Sequence, residues 1–205
     1  MPVDEFASLR WSMVQIVALY VQHSSMEIGK DALDDKVMQA LARVPRHEFV
    51  PSEVRPYAYH DGPLPIGYDK TISQPFIAAL MTDLLDIRST DKVLEVGTGL
   101  GYHTALLASL AGKVYSVEII EELAAQAQAN LENAGYENVE LRIGDGSRGW
   151  PQHAPFDRIL VTAAAELIPP LLLQQLAPGG RMVLPTGIQE DQRLTLVEKD
   201  TDGHV

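Results

Sequence analysis

The stretch Val93-Leu94-Glu95-Val96-Gly97-Thr98-Gly99-Leu100-Gly101-Tyr102 decides how this chain folds. Its first half, aliphatic around a single acid, predicts a buried strand over residues 92–96. The chain then enters a glycine-dense turn, and the residues after Tyr102 return to a helical period. Strand, glycine turn and helix in that order mark a place where backbone can approach a ligand closely, at the carboxyl end of a sheet. A dinucleotide site of the ordinary kind spaces its glycines G-x-G-x-x-G, which would put the third at position 102, where this chain has Tyr102. The third glycine comes one residue early.

Reading on toward the C-terminus, strands are predicted at 113–117, 139–143, 158–161, 181–184 and 194–198, and helices at 102–110, 120–134 and 170–176. Strands alternating with helices imply right-handed crossovers and a mainly parallel sheet covered on both faces, a doubly wound α/β core. The second strand ends in Glu118, about 20 residues beyond the glycine turn, where a carboxylate can accept both hydroxyls of a ribose. The third leads into Gly144-Asp145-Gly146, where a short acid between glycines can meet an adenine amino group. Glu95 is a further polar anchor beneath the turn.

Toward the N-terminus, Ser73 reads as the cap of a helix with Pro75 in its first turn and an apolar stripe of Ile77, Leu80, Met81, Leu84 and Leu85. Residues 45–73 carry prolines at 45, 51, 56, 63 and 65, which predicts an ordered, loop-rich connector. Before it, 9–22 and 34–43 have apolar residues at helical spacing, the second with Asp34 or Asp35 as N-cap. The expected organisation is an N-terminal helical and loop extension over 1–75 and an α/β core over 76–205.

The composition narrows the function. Sixteen Lys+Arg against 28 Asp+Glu leave a formal charge of −12, which repels phosphate backbones and anionic headgroups, so neither nucleic acid nor membrane is expected as a partner. No apolar run approaches the ~20 residues of a membrane span, and no basic start leads into an apolar stretch, so a cytoplasmic protein is expected. A monomer is the expectation for its assembly, though the sequence does not fix the oligomeric state. The absence of cysteine excludes disulfides, thiolate nucleophiles and cysteine-ligated metals. Histidines at 23, 47, 60, 103, 153 and 204 show no short metal-binding spacing, so no metal is expected, and His103 reads as a helix-surface residue or a neighbour of the ligand.

The G-x-G-x-G spacing of Gly97, Gly99 and Gly101 resembles the first motif of class I methyltransferases, whose turn holds the amino-acid part of S-adenosylmethionine. Together with Val44-Pro45-Arg46-His47-Glu48-Phe49-Val50-Pro51, Pro63-Leu64-Pro65-Ile66-Gly67 and Thr71-Ile72-Ser73-Gln74-Pro75, it resembles the protein-L-isoaspartate O-methyltransferase family across nearly the whole chain. Further matches are Val114-Tyr115-Ser116-Val117-Glu118, Gly144-Asp145-Gly146, and Phe156-Asp157 with Val161-Thr162-Ala163-Ala164. The resemblance implies that Gly97, Gly99, Gly101, Glu118 and Asp145 line the cofactor site, with Thr71, Ile72 and Ser73 beside the transferred methyl; Glu95, Thr98 and Gly146, from the same segments, are expected to join the cofactor site. It also implies the substrate, the free carboxylate of an isoaspartyl residue in a damaged protein, whose ester collapses to a succinimide that can reopen as aspartate. Such a carboxylate, with a reference pKa near ~4, needs no base to ionise it, so catalysis rests on holding carboxylate, methyl and sulfur in line.

Two departures from the family pattern bear on the substrate side. Asp69 and Lys70 stand where a glycine and a glutamine are common, and the chain stops at Val205 where the family usually continues into another strand, which predicts an exposed sheet edge. They leave room for a related carboxyl methyltransferase that modifies aspartate in a dedicated partner, or for a module that binds the cofactor without catalysis. A nicotinamide-dependent oxidoreductase shares the fold but is opposed by Tyr102.

Overall fold

The computed structural model describes residues 5–163, 167–187 and 192–205. Ala164, in the last matched motif, lies outside the described residues. The chain begins with α1 (Ala7–His23), α2 (Ser25–Ile28) and α3 (Asp35–Arg43), continues through β1 (Leu64–Gly67), β2 (Lys70–Ile72) and α4 (Pro75–Leu85), and then enters β3 (Lys92–Val96), α5 (Tyr102–Ala108), β4 (Lys113–Glu118) and α6 (Glu121–Asn133). It closes with β5 (Val139–Ile143), β6 (Phe156–Val161), α7 (Pro170–Gln175), β7 (Leu176–Thr186) and β8 (Arg193–Glu198). The main sheet has the order β5-β4-β3-β6-β7-β8, parallel throughout except for β8, which runs antiparallel along β7. This is the predicted doubly wound α/β architecture. β3 and β6 are adjacent while their connections leave in opposite directions, so a crevice opens at their carboxyl ends.

β3 and β4 are almost wholly buried, as expected of strands covered on both faces. One face carries Val93, Val114, Leu160 and Val183 against Met81, Leu85 and Leu107 of the helices. The other carries Leu94, Val117, Ile159 and Met182 around Leu172 and Leu176. A third cluster joins Met13, Val17 and Leu41 of the N-terminal helices to Phe76, Leu80, Leu106 and Leu131, so the extension and the α/β core share packed apolar surface.

α4 is the hinge of this arrangement. It is buried along nearly its whole length, between α1 and α3 on one side and β6 and β7 on the other. Its Asp83 accepts the Asp34 backbone N–H at 2.7 Å and pairs with Lys30, which ties the loop before α3 to the core. Asp34 in turn caps α3, its side chain accepting from the Lys36 N–H at 2.9 Å, one of the two predicted caps.

Two expectations need correction. Ser73 does not cap α4: Gln74 is the N-cap, its side chain makes no capping bond, and the Ala78 N–H bonds to the Gln74 carbonyl. Proline at the first helical position presets φ and removes one donor, so the helix starts without a hydroxyl cap. The proline-rich connector is also more regular than a loop. β1 and β2 form a hairpin whose two turn residues, Tyr68 and Asp69, both have φ of 54°, the sign required at both centres of a tight hairpin turn. Neither residue is the usual glycine, and the strands are too short to display an alternating period.

Candidate active site

The carboxyl ends of β3, β4, β5 and β6 meet the β1–β2 hairpin around two adjoining cavities. The larger, about 390 Å³, is lined by Gly97 and Gly99 of the glycine turn, Glu118, Asp145, Gly146 and Thr162, with Ile66, Asp69, Lys70 and Thr71 of the hairpin over them. The smaller, about 70 Å³, lies between Thr71, Ile72 and Ser73 on one side and residues 97–100, Tyr102 and His103 on the other. Ile66, Thr71, Gly97, Gly99 and Thr162 border both, so a molecule seated in one can present a group to the other.

The larger cavity exists because side chains are missing where backbone must come close. A Cβ on Gly97 would stand 2.2 Å from Thr162 Oγ1, and one on Gly146 would stand 2.2 Å from Val96 Cγ1. Thr162 pins the turn from below, its hydroxyl donating to the Gly97 carbonyl at 2.8 Å and lying 3.1 Å from that of Val96. Glu118 pins it from the side: one carboxylate oxygen accepts the Gly99 N–H at 2.8 Å and the other the Ile120 N–H at 3.0 Å. A carboxylate has about four acceptor positions, so two remain for a diol. Asp145 accepts from both the N–H and the hydroxyl of Ser147, at 3.0 and 2.7 Å, and these bonds hold its pKa below the usual carboxylate value.

Residues 23–205 match the family described as Protein-L-isoaspartate(D-aspartate) O-methyltransferase. The chain belongs to that family. It is 58% identical over 205 residues to Protein-L-isoaspartate O-methyltransferase 1 of Polaromonas sp. (strain JS666 / ATCC BAA-500), a match that covers 100% of this chain and 87% of the relative. It is 56% identical over 201 residues to Protein-L-isoaspartate O-methyltransferase 2 of Syntrophobacter fumaroxidans (strain DSM 10017 / MPOB), covering 98% of this chain and 81% of that one. A solved protein-L-isoaspartate O-methyltransferase structure superposes with a TM-score of 0.80 at 30% identity, over 93% of this chain and 60% of its own. This chain therefore spans less than two thirds of that protein.

Within this isoaspartyl methyltransferase family member, the residues singled out from the sequence separate into three groups. Gly97, Gly99, Glu118, Asp145 and Gly146 line the larger cavity, and Thr71 lines both. Ile72, Ser73 and Thr98 face only the smaller. Glu95 and Gly101 border neither. Gly101 begins α5, and a Cβ there would lie 3.2 Å from Leu131 Cγ, so its setting is the packing between α5 and α6.

Glu95 is fully buried behind the turn. Its Oε2 accepts from Thr104 Oγ1 at 2.5 Å and Ser116 Oγ at 2.6 Å. Because Ser116 gives its only proton to Glu95, Thr98 must be the donor in its 2.6 Å contact with Ser116. A chain of hydroxyls thus joins α5, β3, β4 and the glycine turn. The other Glu95 oxygen has no partner, and burial, with the nearby Glu118 charge adding to it, raises the carboxyl's pKa to about 7.

A pH signature follows. An acid whose pKa rises on folding binds its proton more tightly in the native chain, so its contribution to stability is greatest below pH 4.5 and declines as pH climbs toward about 7, above which the native state carries the full cost of the buried charge. Glu95→Gln removes that charge. Its melting temperature relative to the parent is expected to rise between about pH 5 and about pH 8, by the equivalent of roughly 1–3 kcal/mol. A difference that stays flat over this range would show that Glu95 does not ionise there.

Sequence reasoning left the roles of three participants unsettled. Thr162 was quoted only as a motif residue, though it borders both cavities. His103 is buried, not on the helix surface, with Nε2 2.9 Å from Thr82 Oγ1. Thr82 donates its own proton to the Ala78 carbonyl at 2.8 Å, so His103 Nε2–H donates and Nδ1 is left bare. Burial, reinforced by the Arg46 charge, lowers the His103 pKa to about 3, which keeps the ring neutral. Arg46 is the third, buried behind Ser73 and Tyr102. The spacing of histidines also did not reveal that Asp200, Asp202 and His204 lie close together, all exposed, at the end of the chain.

Proposed function

We propose that this protein transfers a methyl group from S-adenosylmethionine to the free carboxylate of L-isoaspartyl residues in damaged proteins and peptides, as a repair enzyme. The single observation that carries this reading is the junction of the two cavities at Thr71, Gly97, Gly99 and Thr162, which brings the end of β2 and Ser73 after it against the glycine turn. A volume of about 390 Å³ falls in the ordinary range for a small-molecule site.

The residues present fit the cofactor. The approach over Gly97 and Gly146 is clear of any Cβ, Glu118 has acceptor positions to spare for ribose hydroxyls, and the Asp145 carboxylate stands on the rim for an adenine amino group. When bound, the cofactor supplies a methyl on a positively charged sulfur, which needs only a nucleophile aligned with the carbon–sulfur bond. Thr98 and Gly99 hold the turn, while Ile66 and Thr71 close over it and limit access of water. Ser73 is half-buried at the small cavity and positions the accepting carboxylate through its hydroxyl. The accepting carboxylate is ionised at neutral pH by its own reference pKa near ~4, so no base is asked of the neutral His103. The charge of −12 favours a monomeric enzyme that acts on proteins and peptides without nucleic-acid or membrane partners, and a cytoplasmic setting is part of the proposal; among the described residues no helix is long and apolar enough to cross a membrane.

The test is methyl transfer from labelled cofactor to a peptide with one isoaspartyl residue and to its aspartyl twin. Label on the isoaspartyl peptide alone is expected; equal labelling would refute the specificity, and label on one dedicated partner with neither peptide modified would favour the aspartate-modifying alternative.

Because α4 starts without a hydroxyl cap, Ser73→Ala separates the two roles open to Ser73. Its unfolding free energy should stay within about 0.5 kcal/mol of the parent. The single-turnover rate should fall about tenfold, as for loss of one hydrogen bond to a charged group. A drop in stability with an unchanged rate would return Ser73 to a structural role.

A further inference from the structure

Arg46 is the largest of the fully buried side chains, and no carboxylate lies within 4.0 Å of its guanidinium among the described residues. Its Nε donates to the Ala58 carbonyl at 2.8 Å and its Nη2 to the Ser73 carbonyl at 2.7 Å, while Nη1 has no partner. The guanidinium lies 4.8 Å from the centre of the Tyr102 ring, and the buried Tyr102 hydroxyl interacts with it without reaching close hydrogen-bond geometry. Asp61 acts on it through space and offsets part of its charge; one Asp61 oxygen accepts from Gln74 Nε2 at 2.8 Å and the other is buried without a partner. A buried cation without a salt-bridge partner is expensive to maintain and calls for a compensating anion.

Both groups that Arg46 touches on this side, Ser73 and Tyr102, line the small cavity, and His103 beside them carries no charge. Neither Arg46 nor any other cationic side chain lines that cavity, so an anion entering it would feel Arg46 across one layer of atoms in a poorly screened interior.

We propose that Arg46 is a positioning residue for the substrate's carboxylate: it fixes the Ser73 main chain from behind and holds a positive charge, only partly offset by Asp61, against the small cavity, where the accepting carboxylate completes the neutralisation on binding. This rests on the reading of the site as a carboxylate methyltransferase. The clamp and the charge have separate consequences, because glutamine has lost the charge whereas lysine keeps it but cannot hold two carbonyls in a planar fork.

The test is steady-state methyl transfer to a peptide with one isoaspartyl residue by the parent, Arg46→Gln and Arg46→Lys, with S-adenosylhomocysteine affinity measured by calorimetry on each. Arg46→Gln is expected to raise the peptide KM about tenfold or more while cofactor-product affinity stays within about threefold. Arg46→Lys should bring the peptide KM back to within about threefold of the parent but leave kcat depressed. An unchanged KM in Arg46→Gln, or an Arg46→Lys no better than the glutamine variant, would overturn the proposal. If Arg46→Gln does not fold, Arg46→Lys decides alone, a tenfold rise in its peptide KM counting against the proposal. A parent that methylates no isoaspartyl peptide would instead break the functional reading and this inference with it; an active parent whose variants keep the parental KM breaks only the inference.

Discussion

Gly97→Ala is expected to abolish S-adenosylmethionine binding and to lower the melting temperature at the same time. The added Cβ would lie 2.2 Å from Thr162 Oγ1, far inside contact distance, and Gly97 has a φ of 96°, which L side chains rarely adopt. Thr162 cannot simply rotate away, because its hydroxyl donates to the Gly97 carbonyl at 2.8 Å. The turn must therefore move, and it is the floor of both cavities. The strained φ costs roughly 1–2 kcal/mol and the overpacking about 1–3 kcal/mol more. Calorimetry should detect no cofactor binding, and thermal melts should report the destabilisation. Combining it with Thr162→Ala separates the two costs: the contact left, to the Thr162 Cβ, is 3.6 Å, so part of the lost stability should return. No rescue at all would assign the whole effect to backbone strain.

Glu118→Gln should weaken cofactor binding about a hundredfold and cost about 1–3 kcal/mol of stability, as expected when two hydrogen bonds to a charged acceptor become one to a neutral one and a backbone donor is left unpaired. The carboxylate receives the Gly99 and Ile120 N–H groups, one on each oxygen, so it organises the turn and offers its remaining lone pairs to a ligand. An amide can replace only one of those oxygens, and its NH₂ then faces a backbone donor. The loss should appear in the calorimetric Kd and in the KM for cofactor, with the peptide KM nearly unchanged. A variant that binds cofactor normally would reduce Glu118 to a local brace for the entry to α6.

In the sequence, the α/β core was legible because each strand is a short aliphatic run and each helix keeps its period. β3 and β5 were placed to the residue, and most other ends within two. The cofactor rim was legible for the same reason, since Gly97, Glu118 and Asp145 all stand at or within two residues of a strand's carboxyl end and parallel strands deliver those ends to one edge. The β1–β2 hairpin was not, because its turn uses Tyr68 and Asp69 at positive φ where a glycine would have announced it. Glu95 was read as an anchor for the ligand, although its neighbours at 2.6 Å or less are Thr104 and Ser116, one 9 and one 21 residues away.

By itself, then, the order of residues determined the fold class, the edge of the sheet where the ligand site lies and, through the family pattern, the chemistry expected there. These follow from local regularities: hydrophobic period, glycine spacing and an acid at a strand tip. Only the tertiary structure decided that Ser73 is free of capping, that His103 is buried and neutral, that Thr162 pins the glycine turn and that Arg46 stands without a salt bridge behind the small cavity. Each of these depends on which groups far apart in the chain share a hydrogen bond or a desolvated volume, and burial and partnership are set by packing, which no stretch of sequence carries alone.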